Sequence, residues 1–94
     1  MSNCIVRVEL HYAKSPEQYV RLHAEMAANR LFNTIRGSDG KTYQLPPAEY
    51  RYEGTATPEQ VREIAKQCAN RVDSSNAVVV SETNVVLWNG LKLH

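Results

Sequence analysis

The sequence has few of the residues that mark the special classes of small protein. Its 94 residues include two cysteines, four glycines and four prolines, which argues against a disulfide-stapled scaffold and against a disordered, low-complexity chain. Cys4 and Cys68 lack the spacing of metal ligands, and both fall on apolar stripes where a thiol packs rather than reacts. No apolar run approaches the roughly 20 residues of a membrane helix, and the first residues do not form a signal peptide. We therefore expect a soluble, cytoplasmic protein that needs no metal or other cofactor.

An excess of charge of either sign is also missing. Eleven Lys and Arg residues against ten Asp and Glu residues give a formal net charge of +1. This balance argues against histone-like binding of nucleic acid, which needs many cations to neutralise phosphates, but it allows a local basic patch. Because 43% of the residues are hydrophobic, a chain of this length can bury one core. We expect a single domain over residues 1–94.

Hydrophobic periodicity predicts two helices between strands. Residues 4–12 alternate between apolar and polar side chains, as in a strand with one face in the core. Residues 15–18 (Ser-Pro-Glu-Gln) and 57–60 (Thr-Pro-Glu-Gln) form two matching helix starts, in which a hydroxyl caps the first turn and Gln reaches back as in a capping box. Apolar stripes at helical spacing follow both starts, and His23 lies on the first of them, where we expect it to be partly buried and bonded to a backbone group.

The remaining segments complete an α+β pattern. Residues 33–45 form a β-rich segment with a turn at 37–40, and single strands are predicted at 48–54 and 77–82. Residues 85–94 form either a closing hairpin or an edge extension. The order β-α-β-β-α-β with a C-terminal β extension predicts a ferredoxin-like sandwich, in which both helices cover one face of an antiparallel sheet.

The alternation also predicts which face of that sheet is polar. In this topology the first and third strands are neighbours at the centre of the sheet. Their charged rows are Arg7, Glu9 and His11 on the first strand and Glu49, Arg51 and Glu53 on the third. Burying such charges beneath the helices would cost several kcal/mol each unless they were paired. We therefore expect both rows to face away from the helices, and Tyr50 and Tyr52 to face toward them.

The polar row of the first strand contains the candidates for catalysis. His11 can act as a general acid or base near neutral pH. Metal-independent RNA cleavage needs an acid, a base and a cation, and His11, Glu9 and Arg7 supply these groups, with Arg36 or Arg51 as further cations. The alternative is a solvated lattice of ion pairs with His11 as an ordinary surface residue.

Candidate residues for binding RNA or a protein lie elsewhere on the chain. Arg36, Asp39 and Lys41 flank the predicted hairpin tip, where binding residues are often found. Arg51 adds a cation on the sheet. Trp88 is either an anchor for a partner or a lid that closes the core beneath the tail.

Several short stretches carry a resemblance to a known family. They are residues 5–11 (Ile-Val-Arg-Val-Glu-Leu-His), Asp39-Gly40 followed by 43–46 (Tyr-Gln-Leu-Pro), 48–50 (Ala-Glu-Tyr) and 88–91 (Trp-Asn-Gly-Leu). In these stretches the chain resembles the GhoS-type endoribonuclease antitoxins of type V toxin–antitoxin systems, whose ferredoxin-like fold is similar to that of CRISPR-associated small nucleases. The resemblance implies a small RNase that cleaves a toxin message, with no assignable cofactor.

The chain departs from the CRISPR-associated relatives at one informative place. Those relatives use an aspartate near the end of the first strand, within a dimeric and metal-dependent site. Here the residues near that place are Glu9, His11 and Tyr12. The departure points away from metal-dependent chemistry.

Two classes of function, and one further option, remain open at this stage. The first is an antitoxin-like protein that cleaves or binds single-stranded RNA without a metal. The alternative is a non-catalytic inhibitor, of the antitoxin or anti-CRISPR type, that docks on a larger enzyme. The further option is a homodimer that buries the polar sheet face, as ferredoxin-like modules often do.

Overall fold

The computed structural model describes residues 1–12 and 15–94. Its helices are α1 (Pro16–Ala27) and α2 (Pro58–Asn70). Its strands are β1 (Ser2–Leu10), β2 (Leu31–Phe32), β3 (Thr34–Arg36), β4 (Thr42–Gln44), β5 (Glu49–Gly54) and β6 (Asn76–Glu82). In the described part of the chain, no helix has the length and apolar character needed to cross a membrane.

The strands form two sheets. The main sheet has the order β2-β5-β1-β6, and each neighbouring pair is antiparallel. The second sheet is the hairpin β3–β4. The predicted α+β class with an antiparallel sheet is therefore confirmed.

One face of the main sheet and both helices enclose the core. Alternate residues of β1 and β5 point into it, because side chains along a strand alternate between the two faces. The buried positions on these strands are Cys4, Val6, Val8, Leu10, Tyr50 and Tyr52. From the helices, Leu22 and Met26 of α1 and Val61 and Cys68 of α2 join the same cluster. Both tyrosines thus face the helices, as the charge pattern predicts.

The two helix starts differ although their sequences match. At α2 the Thr57 hydroxyl accepts from the Gln60 amide at 3.1 Å, and the Thr57 amide donates to Gln60 Oε1 at 2.9 Å, so the predicted capping box is confirmed. At α1 the Ser15 side chain makes no capping bond, and its hydroxyl instead donates to Glu17 Oε2 at 3.4 Å. The predicted Ser15 cap is wrong because the hydroxyl turns to this carboxylate.

The C-terminal segment pairs with the hairpin β3–β4 rather than with itself. The Gln44 amide donates to the Lys92 carbonyl at 2.8 Å, and the His94 amide donates to the Thr42 carbonyl at 3.0 Å. Residues 85–88 are not a strand. Of the predicted C-terminal β extension, the described residues show one bridge, between Tyr43 and Leu93, and it lies on the hairpin β3–β4 and not on the main sheet. The hairpin turn itself forms as predicted, with Gly40 at a φ of 82° that glycine adopts at low cost.

Candidate functional site

The sheet face opposite the helices carries the predicted polar rows. Arg7 and Glu9 are exposed on β1, and Glu49, Arg51 and Glu53 occupy the outward positions of β5. The register places Arg7 opposite Glu49 and Ile5 opposite Arg51. The hairpin β3–β4 and residues 84–88 lie against the Arg51 end of this face, while the His11 end is open.

His11 bridges two side chains at the open end. Its Nε2 lies 3.2 Å from Glu9 Oε1, and its Nδ1 lies 3.1 Å from Ser75 Oγ. The β1–β6 pairing brings Ser75 there, because the His11 amide donates to the Ser75 carbonyl at 3.0 Å. Sequence reasoning did not find Ser75, which is 64 residues away along the chain and comes close only through the strand register.

The Ser75–His11–Glu9 arrangement has the residue types of a nucleophilic triad but not its surroundings. Acyl transfer needs amide donors aimed at a developing oxyanion. The Ser75 amide already donates to Asp73 Oδ1 at 3.0 Å, and the Tyr12 amide donates to Asp73 Oδ2 at 2.9 Å. The Glu9 side chain is 73% exposed. These contacts describe a hydrogen-bonded surface cluster that ties the end of β1 to the turn before β6.

The structure does not bring the further cations to His11. Arg51 is opposite Ile5 in the ladder, and His11 is six residues farther along β1, which corresponds to roughly 20 Å. Arg7 is four residues from His11 on the same row. Only Glu9 among the predicted catalytic partners contacts the imidazole.

A cleft of about 480 Å³ lies at the Arg51 end of the face. Its walls are the hairpin tip, the outward side chains of β5 and the C-terminal segment. The lining residues are Ile35, Arg36, Gly37, Ser38, Asp39, Tyr43, Arg51, Glu53, Asn84, Val86, Leu87 and Trp88. Four of the five predicted binding residues therefore share one cleft, and the fifth, Lys41, is on the hairpin outside it.

A second cleft of about 240 Å³ adjoins the first along β3 and β5. It shares Ile35, Arg36, Arg51 and Glu53 with the first cleft. Its own residues are Arg30, Phe32 and Thr34. We call the two adjoining clefts together the arginine groove.

The carboxylates of the arginine groove are held by neighbouring donors. The Tyr43 hydroxyl donates to Asp39 Oδ2 at 2.5 Å, and the Lys41 amide donates to Asp39 Oδ1 at 2.9 Å. These bonds lower the pKa of Asp39, and the bond to the carboxylate raises the pKa of Tyr43. Glu53 Oε1 lies 3.4 Å from Arg51 Nε. Asp39 therefore stays ionised at neutral pH, and both carboxylates contact other residues that line the groove.

Of the guanidinium groups of Arg30, Arg36 and Arg51, that of Arg51 alone lies near a carboxylate with which it can pair among the described residues. The Arg51 side chain is 16% exposed, and its buried Nε has no aligned hydrogen-bond partner among the described residues. Neither Arg30 nor Arg36 forms an ion pair within residues 1–12 and 15–94. Three positive groups thus line the arginine groove, and Glu53 is the acid paired with one of them.

Aromatic rings stand beside these cations. Trp88 packs against Tyr43 with ring centroids 5.5 Å apart and a 56° tilt. Trp88 belongs to the outer wall of the groove and not to the main core. Phe32 lines the second cleft and is 48% exposed. Sequence reasoning missed Arg30, Phe32 and Tyr43, and the one usable signal was the spacing of Arg30 and Phe32, two residues apart at the start of a short β segment.

Comparison with protein-family models, with curated proteins and with solved structures gave no match. Across the described residues, no group of three or more His, Cys, Asp or Glu side chains is placed to hold a metal ion.

Proposed function

We propose that this protein binds single-stranded RNA in the arginine groove, on a ferredoxin-like scaffold. The observation that carries the proposal is that Arg30, Arg36 and Arg51 surround two adjoining clefts that also hold Phe32 and Trp88. Proteins that bind single strands combine a positive groove, which follows the phosphates, with aromatic rings on which bases stack. The groove has both features.

The strand order supports the scaffold part of the proposal. Numbered by the four strands of the main sheet alone, β2-β5-β1-β6 is the order 2-3-1-4, with helices after the first and third strands. A split βαβ sandwich has the same connectivity, which supports the proposed scaffold. The hairpin β3–β4 is an insertion between the second and third of these strands, and it supplies one wall of the arginine groove. The resemblance to GhoS-type antitoxins favours RNA as the ligand.

Because the arginine groove lies far from His11, we assign RNA binding, and not cleavage, to the groove. Cleavage by His11, Glu9 and Arg7 stays a prediction, because His11 lies roughly 20 Å along β1 from the level of Arg51. A nuclease assay on the same RNA tests it. Loss of cleavage in His11→Ala with unchanged binding would place the chemistry at the open end of the sheet, and intact cleavage in that variant would reject the assignment.

The proposal is tested by fluorescence anisotropy with a labelled single-stranded RNA of mixed sequence. We expect Arg36→Gln to weaken binding roughly tenfold, since a charge-assisted hydrogen bond is worth about 1.5 kcal/mol. Its salt dependence should also fall by about 0.7 in the log–log slope, as for the loss of one phosphate contact. The matched control is Arg62→Gln, which removes the same charge from the exposed side of α2.

Two results would reject RNA binding at this site. The first is equal loss of affinity in Arg36→Gln and Arg62→Gln, which would show only a general charge effect. The second is the absence of binding to single-stranded RNA at low salt, where electrostatic attraction is strongest.

A second candidate function is docking on a protein, and the C-terminal segment favours it. Val85, Leu87 and Leu93 are 69%, 88% and 61% exposed, which is unusual for large apolar side chains so close together in sequence. Exposed apolar side chains that form a contiguous patch mark sites of protein–protein interaction. A stable complex that is abolished by Leu87→Ser and unaffected by Arg36→Gln would select this function over RNA binding.

A further inference from the structure

Strand β6 is an open edge of the main sheet. It follows β1 at the end of the order β2-β5-β1-β6, and within the described residues it pairs with β1 alone. Exposed edges are usually blocked by proline, lysine, a bulge or a covering loop, because their free backbone groups attract another strand. The sequence Asn-Ala-Val-Val-Val-Ser-Glu of β6 has no proline and no lysine, and its only charge is at the last position.

The hydrogen-bond pattern identifies which backbone groups are free. The His11 amide donates to the Ser75 carbonyl at 3.0 Å, and the Thr83 amide donates to the Asn3 carbonyl at 2.9 Å. Alternate residues of an antiparallel strand bond to the same neighbour, so the odd-numbered residues of β6 face β1. The N–H and C=O groups of the even-numbered residues, from Asn76 to Glu82, therefore point away from β1, and among them the Asn76 carbonyl already accepts from Lys66 Nζ at 3.4 Å.

We propose that β6 pairs with β6 of a second copy of this chain, antiparallel and in a register centred on Val79. In this register Val78 lies opposite Val80 of the other copy, and Asn76 lies opposite Glu82. All four residues whose backbone groups point away from β1 (76, 78, 80 and 82) then face a hydrogen-bonding partner in the other copy. If the two-fold axis passed through residue 78 or 80 instead, one of these four residues would be left without a partner in each copy.

Charge complementarity supports the same register. Lys66 Nζ on α2 donates to Asn76 Oδ1 at 2.6 Å, so an ammonium group stands at one end of β6 on the helix side of the sheet. Glu82 is exposed at the other end, and it is on the helix side as well, because it pairs with the inward-facing Cys4. Within the described residues Glu82 has no ion-pair partner. Pairing about Val79 places Glu82 of each copy beside Asn76 and Lys66 of the other.

This interface is distinct from the homodimer expected through the polar sheet face. It joins two main sheets edge to edge into one continuous sheet of eight strands. No residue of β6 lines the arginine groove, so RNA binding and dimerisation can fail independently. A two-fold interface of this kind is isologous, which is the usual form of a homodimer.

Sedimentation equilibrium and cross-linking of Val79→Cys test the proposal. The wild-type chain should reach twice its mass of 10.6 kDa. Opposed residues at a non-hydrogen-bonded position have Cα atoms about 4.5 Å apart, within the range of a disulfide. Val79→Cys should therefore form a disulfide-linked dimer on mild oxidation. The control is Ser81→Cys on the same face, whose two copies would be about 13 Å apart and should not link.

A charge exchange at the two-fold axis gives a second, non-covalent test. Val79 is 59% exposed, so polar residues are tolerated there in the single chain. Val79→Lys and Val79→Glu should each sediment as monomers, because like charges would face each other. An equimolar mixture should form a heterodimer. Monomeric wild-type protein at high concentration, equal cross-linking at positions 79 and 81, or a mixture that stays monomeric would each overturn the proposal.

Discussion

Two histidines of this protein, His11 and His23, have very different surroundings. His11 is on the surface between Glu9 and Ser75. His23 is half-buried against Tyr50, with Nδ1 2.6 Å from the hydroxyl and the rings in an edge-on contact. The sequence predicts partial burial of His23, which is confirmed, but it predicts a backbone partner, which is wrong. Tyr50 reaches His23 because it points inward from β5, and burial raises the pKa of its hydroxyl.

Stability should fall on acidification because of His23. Burial lowers its pKa below the ordinary 6.5, so as the pH falls the unfolded chain binds a proton at this site before the folded chain does. The stability that the neutral ring contributes is complete above pH 6.5 and is lost as the pH falls toward the folded-state pKa. Urea unfolding at pH 7.5 and pH 5.0 should show a larger loss for the wild type than for His23→Gln.

The matched control for His23 is His94→Gln, since His94 is exposed at the C-terminus. Equal changes in the pH dependence of the two variants would point to a general effect of removing a histidine. An identical pH dependence in His23→Gln and the wild type would contradict the role assigned to His23.

Replacing Asp39 should change the affinity for RNA in the opposite direction to replacing Arg36. Asp39→Asn removes a negative charge from the rim of the arginine groove, keeps an oxygen that can accept from the Lys41 amide, and offers an NH2 group that can donate to the Tyr43 hydroxyl. We expect tighter binding of single-stranded RNA, with the gain shrinking as salt is added. Anisotropy titrations at two salt concentrations measure this, and weaker binding in Asp39→Asn would argue for a cationic partner instead.

At the level of elements, matching sequences do not always make matching contacts. The starts of α1 and α2 both read hydroxyl-Pro-Glu-Gln, yet only Thr57 caps its helix through the side chain. The sequence was sufficient to place both helices, because the proline at each start and the apolar stripe that follows are features of neighbouring residues. The direction of a hydroxyl was not predictable, because it depends on which acceptor is closest in the folded chain.

The two helix starts should therefore respond differently to the same substitution. Thr57→Ala removes a capping bond and should lower the free energy of unfolding by about 1 kcal/mol. Ser15→Ala removes a hydroxyl that makes no capping bond and should change it by less than roughly 0.5 kcal/mol, as for other surface substitutions. Urea midpoints of the two variants compare these directly, and equal losses would contradict the assignment of the caps.

At the scale of the whole molecule, the sequence predicted the layers better than the contacts between distant segments. Alternation in β1 and β5 correctly assigned Cys4 and Tyr50 to the core and Arg51 to the opposite face. It could not bring Ser75 to His11 or residue 94 to Thr42, because these contacts depend on strand register and on the path of the tail. The groove walls come from three separated segments, so only part of the candidate site was predictable.

The closed core makes a prediction for the two thiols. Cys4 and Cys68 are 0% and 1% exposed, and burial raises the pKa of both. Because the thiolate is the reactive form, iodoacetamide at neutral pH should label neither cysteine in the folded protein and both in urea. Mass spectrometry of the two samples counts the added groups. Rapid labelling of either residue without urea would contradict the packing described for the core.

Occupation of the arginine groove by single-stranded RNA can be followed residue by residue in an amide NMR titration with a short single-stranded RNA. We expect shifts concentrated at residues 30–39, 51–53 and 84–88, including the Trp88 indole N–H, with α2 unaffected. Shifts centred on α2, or none at an RNA concentration well above that of the protein, would contradict it.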